Sequence, residues 1–149
     1  MEQAVQHKHK PSLKITARVT LHCLVGCIIG ETAGLLIGVS LGLSPQIIIL
    51  LAVILAYLSG FSLAIWPLII NSQMSLLWSI KIVWIGESIS IGVMEFVMNA
   101  VAYFIGGVEA ESIFTPVFWY GLIVGALFGY LAALPINYWL ITRERKACH

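Results

Sequence analysis

The chain has 149 residues, 60% of them hydrophobic and 10% charged, with a formal net charge of +1. Soluble domains carry about 25% charged residues, so a water-soluble core is excluded. The length admits one domain of about four membrane-spanning helices. Three cysteines make no disulfide framework, because Cys23 and Cys27 fall inside an apolar span and Cys148 lies in the tail.

Residues 1–18 are polar and basic, with His7, Lys8, His9, Lys10, Lys14 and Arg18. They read as a cytoplasmic flank under the positive-inside rule. His7 and His9 alternate with lysines whose charge repels cations, so the pair is a poor metal site. A cleaved signal peptide is disfavoured, since the following apolar run is too long and contains a glutamate.

The first span covers about residues 19–43. It contains His22, Cys23, Cys27 and Glu31, together with Gly26, Gly30, Gly34, Gly38 and Gly42 at every fourth position. At about 100° per residue, Cys23, Cys27 and Glu31 fall within about 80° of one another. The glycines form a smooth ridge beside that face, and His22 starts the ridge, about 100° from Cys23. A carboxylate at mid-span costs at least about 2.5 kcal/mol, so something must offset it.

Ser44-Pro45 makes an outer turn. The second span, about 46–70, is apolar until Ser59-Gly60 and carries Trp66-Pro67 near its inner end. Residues 71–79 form a short inner connection with Trp78 as an interfacial anchor, and Lys81 can snorkel. The third span, about 80–105, holds Glu87, Met94, Glu95, Met98 and Asn99. Gly106, Gly107, Glu109 and Glu111 belong to an acidic outer loop. The fourth span, about 116–141, repeats the small-residue spacing at Gly121, Gly125, Gly129 and Ala133 and carries Asn137. Arg143, Arg145 and Lys146 follow in the basic tail, 142–149. This charge distribution predicts an all-α, integral-membrane four-helix bundle with both termini cytoplasmic. A weak echo, Ile29-Gly30-Glu31-Thr32 against Ile85-Gly86-Glu87-Ser88, raises the reading of two repeated hairpins.

Depth counted at about 1.5 Å per residue places the polar residues in two levels. Glu31 and Glu95 are central, with Ser59-Gly60 and Gly129 beside them. Cys23, His22, Glu87 and Asn137 lie nearer the termini, and Cys27 lies between the levels. Polar residues at membrane depth face a bundle interior and find partners, so the first and third spans are predicted neighbours. Cys23, Cys27, Glu31, Glu87 and Glu95 should then face a shared interior.

Two chemistries fit. Cys23 and Cys27, with His22, Glu31, Met94 or Met98, form a soft donor set suited to copper(I) or zinc. Alternatively Glu31, Glu87 and Glu95, with Asn99 and Asn137, are intramembrane polar or proton-carrying groups, because two close buried carboxylates do not readily both ionise. Free cysteine and methionine also pack as plain hydrophobes. Gly26, Gly30, Gly34, Gly38, Gly121, Gly125 and Gly129 are expected to mediate helix packing. No phosphate loop, serine elbow or HExxH occurs, so no enzyme is expected. Basic residues sit at the membrane flanks, leaving nucleic-acid binding unsupported.

The string HCxxGCxxGE at residues 22–31 resembles the prokaryotic membrane-protein family catalogued as domain of unknown function 4396. So do Met94-Glu95 followed by Asn99, Phe118-Trp119 before Gly121, and Pro135-x-Asn137-x-Trp139-Leu140. The resemblance spans about residues 17–142. It implies a small integral membrane protein and no established activity. The family pattern has an acid before the asparagine of the third span, where this chain has Met98, which makes the site softer.

Three readings therefore stand together. The first is a membrane protein binding or passing a soft metal ion of the copper or zinc class. The second is a structural or accessory subunit without a ligand. The third is a proton-coupled small-solute carrier. Each places the chain in a prokaryotic cell membrane, within lipid, as a homo-oligomer or beside a partner membrane protein.

Overall fold

The computed structural model describes residues 13–72 and 75–147. His7, His9 and Cys148 lie outside the described residues, as do the side chains of Pro67, Trp78, Arg145 and Lys146. Four helices follow in order: α1 (Leu13–Ser40), α2 (Pro45–Ser72), α3 (Leu76–Ile105) and α4 (Pro116–Ala147). The helices run past the span limits expected from hydropathy, since Lys14 and Arg18 already sit on α1 and Arg143 on α4. Long cationic side chains allow this by reaching toward the interface from within a helix.

Gly42, the last member of the glycine ridge in sequence, does not belong to it. Its φ is 61° and no neighbouring atom would meet a Cβ there. It makes the turn instead, with Gly42 N–H donating to Val39 O (3.1 Å) and Leu43 N–H to Gly38 O (3.0 Å). Gly106 ends α3 in the same left-handed conformation, at φ 86°.

The other ridge glycines zip α1 onto α2. Gly26 abuts Gly60, Gly30 abuts Ala56, Gly34 abuts Ala52 and Gly38 abuts Ile48. A Cβ on Gly26 would lie 2.6 Å from Gly60 Cα, so only glycine permits the approach. Ser59 Oγ donates to Gly26 O (2.6 Å) across the seam. The fourth-span ridge serves α3: Gly121 rests on Gly107 and Ala102, Gly125 on the Met98 backbone, and Gly129 under the Met94 and Met98 side chains.

The two hairpins close into a ring through α2–α3 and α1–α4 contacts. α1 and α3 also touch across the middle, whereas α2 and α4 do not meet among the described residues. The cross-section is thus a rhombus whose short diagonal joins α1 to α3, the two helices that carry the buried acids. One apolar cluster fills the half nearer the termini, with Cys23, Leu24, Cys27, Ile91, Met94 and Met98 among its members. A second fills the loop half, with Leu35, Ile48, Ala102, Val108, Phe118 and Leu122.

Candidate functional site

Glu31 and Glu95 are each 1% exposed, and Asn99 is 6% exposed. The Asn99 amide donates to Glu95 O (2.9 Å) and to Glu95 Oε2 (3.2 Å). Both Glu31 carboxyl oxygens, Glu95 Oε1 and Asn99 Oδ1 have no hydrogen-bond partner among the described residues. Glu31 and Glu95 are close enough to interact electrostatically. The α1–α3 register is set where Cys23 Sγ meets Ser90 Oγ at 3.5 Å. Counting upward from that contact, Glu31 comes level with Met98 and Glu95 with Ile28. The two acids are therefore offset by three residues, a little under one helical turn or about 4.5 Å, rather than sharing one depth. α2 is also shifted from expectation. Ser59 bonds Gly26 O, so Ala56 rather than Ser59-Gly60 lies at the Glu31 level.

The thiols continue this seam toward the termini. Cys27 is fully buried and Cys23 is 5% exposed, and both are free. The Cys27 thiol lies within interaction range of Cys23 and of the Glu95 carboxyl. Glu87 acts electrostatically on Cys23. Yet Glu87 is only half-buried, and with Asn137, Gly86 and Val19 it lines a cavity of about 120 Å³ at the terminal end of the bundle. It therefore stands at the mouth of the interior rather than within it. The Asn137 amide donates to Thr20 Oγ1 (3.0 Å), and the Thr20 hydroxyl donates to Thr16 O (2.9 Å), which ties α4 to α1.

His22 is not brought to the thiols. It is exposed, and its Nε2–H donates to Leu63 O on α2 at 3.1 Å. Leu63 precedes Pro67 by one helical turn, and proline has no N–H to give the carbonyl at i−4. His22 supplies the missing donor, which accounts for it structurally. Met94 and Met98 are fully buried and fill the space over Gly129. Among the described residues no group of three or more His, Cys, Asp or Glu side chains could hold a metal ion. The expected donor set of His22, Cys23, Cys27 and Glu31 is not assembled as one centre.

Sequence reasoning passed over Thr16, Thr20, Ser90 and Tyr57. Tyr57 donates its hydroxyl to Ser88 O (3.0 Å) and lies within electrostatic range of Cys27 and Glu95. Thr16 and Thr20 share the four-residue spacing of the face that continues to Cys23 and Cys27, which was a readable signal. Tyr57 had none, because nothing in an apolar run marks which side meets α3.

Four helices long and apolar enough to cross a bilayer, with polar side chains turned inward, define an all-α multi-pass membrane bundle. The chain belongs to the family described as Domain of unknown function (DUF4396), which matches residues 13–146. No curated protein and no solved structure matches it.

Proposed function

We propose that this protein is a membrane proton carrier in which Glu31 and Glu95 hold the transported protons and Asn99 positions Glu95. The observation that supports it is the shortage of donors around the two acids: four buried oxygens lack a partner among the described residues. An ionised carboxylate only accepts hydrogen bonds, whereas a protonated one also donates. A proton on each glutamate supplies two donors where acceptors are in excess. Each buried polar group left unsatisfied costs about 1–3 kcal/mol, so proton occupancy and stability are linked at this site. Four helices enclose little space, so a path for any solute larger than a proton requires an oligomer or a partner subunit, in a prokaryotic cell membrane with the termini in the cytoplasm.

The soft-metal reading has less support, because His22 is engaged with Leu63 and no three-group centre forms among the described residues. Copper or zinc retained stoichiometrically by purified protein, and lost in C23S/C27S, would restore it. The direct test is proton uptake into liposomes holding the purified protein, driven by a potassium diffusion potential and followed with an entrapped pH dye. Uptake should exceed that of empty liposomes and disappear in E31Q and E95Q variants that remain monodisperse. Wild-type uptake equal to empty liposomes overturns the carrier and leaves a structural subunit.

A further inference from the structure

We infer that in this conformation the Glu31–Glu95 pair exchanges protons with one end of the bundle, through a relay of Cys27, Cys23 and Ser90 that opens at Glu87, while an apolar plug closes the other end and must part in a second conformation for a proton to cross. This rests on the carrier reading above and adds its route and sidedness.

Cys27 and Cys23 stand one helical turn apart on α1, both buried, between Glu95 and Ser90 of α3. Glu95 interacts with Cys27, Cys27 with Cys23, and Cys23 Sγ lies 3.5 Å from Ser90 Oγ. Glu87 is within electrostatic range of Cys23 and borders the 120 Å³ cavity between α1, α3 and α4. Thiols and hydroxyls both donate and accept. Each relay group releases one proton as it takes one up, so one S–H or O–H bond breaks for each that forms, and no other reactant is consumed.

Among the described residues the opposite direction offers no buried polar side chain beyond Glu31 and Asn99. One turn beyond Glu31 stands Leu35, packed with Ile48, Ala102, Phe118 and Leu122, all buried. Beyond this plug lies a second cavity of about 360 Å³, bordered by Ile48, Val108, Glu109 and Glu111. The plug thus separates the buried acids from the acidic loop.

The titratable groups facing the pair are few. α1 presents Cys23 and Cys27, α2 presents Tyr57, and α3 presents Glu87. α2 carries no charged residue, and α4 carries none before Arg143. Apart from the half-buried Tyr57, which is engaged with Ser88 O, the polar side chains among the described residues that lead from the terminal end to the acids are Ser90, Cys23 and Cys27.

The test compares proton uptake by liposomes holding full-length wild type, C23A/C27A, C23S/C27S and L35S. The alanine pair should slow uptake about 100-fold or more, the scale of a positioned proton-transfer group. The serine pair should restore it, since a hydroxyl can relay. L35S should raise the passive leak. Unchanged uptake in C23A/C27A, with E31Q still inactive, overturns the relay and leaves the carrier reading intact. Absent uptake in wild type overturns the carrier reading itself. A second measurement needs no variant. On transfer of wild type into heavy water, infrared spectra should show the thiol S–H bands exchanging as fast as the Glu31 and Glu95 carboxyl bands. Thiol bands that persist after the carboxyls have exchanged overturn the relay.

Discussion

His22 shows how one side chain changes meaning when its neighbour is known. Beside Cys23 in sequence it reads as a ligand. In the fold its ring N–H satisfies the Leu63 carbonyl that Pro67 leaves without a donor. Removing that bond in H22A should cost about 0.6 kcal/mol, the average for interhelical hydrogen bonds in membranes. H22Q, which keeps a donor, should recover part of it. Thermal unfolding in detergent checks this, and a larger loss for H22Q than for H22A would contradict the assignment. Glu31 differs in kind, because neither carboxyl oxygen has a partner among the described residues. E31Q supplies a permanent amide donor, so it should be at least as stable as wild type while losing proton uptake. A marked fall in unfolding temperature for E31Q would mean that an unseen partner needs the carboxylate.

At the scale of elements, the seams are built from small residues on both sides. The α1 ridge was legible because glycine at every fourth position is conspicuous. Its counterpart on α2, Ala52, Ala56 and Gly60, was not, because alanine merges with a hydrophobic run. The same spacing does not mean the same tolerance. A Cβ on Gly30 would strike the Ala56 backbone, whereas one on Gly125 would stand 3.0 Å from Met98 O. Gly30→Ala should therefore destabilise α1–α2 packing more than Gly125→Ala destabilises α3–α4. Leucine at either position should disrupt assembly, read as oligomer size and unfolding temperature. Gly42→Ala tests a separate cause, since nothing crowds the site but φ is 61°. Its expected cost is about 1–2 kcal/mol from the left-handed backbone alone.

For the whole molecule, four helices bring the start of α1 and the end of α4 to one end of the bundle, and the charge flanks predict that this end faces the cytoplasm. Reporter fusions at residue 149 and within the loop carrying Glu109 and Glu111 should report opposite sides, with the C-terminus inside. An external C-terminus would reverse the relay's direction relative to the cell and discard the charge argument. Composition and hydropathy alone determined the membrane class, the number of helices and the small-residue ridges, because each depends on local periodicity and on the cost of polar groups in lipid. They also required the two acids to face inward. Azimuth and register across helices decided the rest: the rhombus that joins α1 to α3, the three-residue offset of Glu31 from Glu95, the diversion of His22 to Leu63, and the place of Glu87 at the cavity mouth. Those features depend on which backbone approaches which, and that is set by pairs of small residues distant in sequence whose fit exists only once both helices are in place.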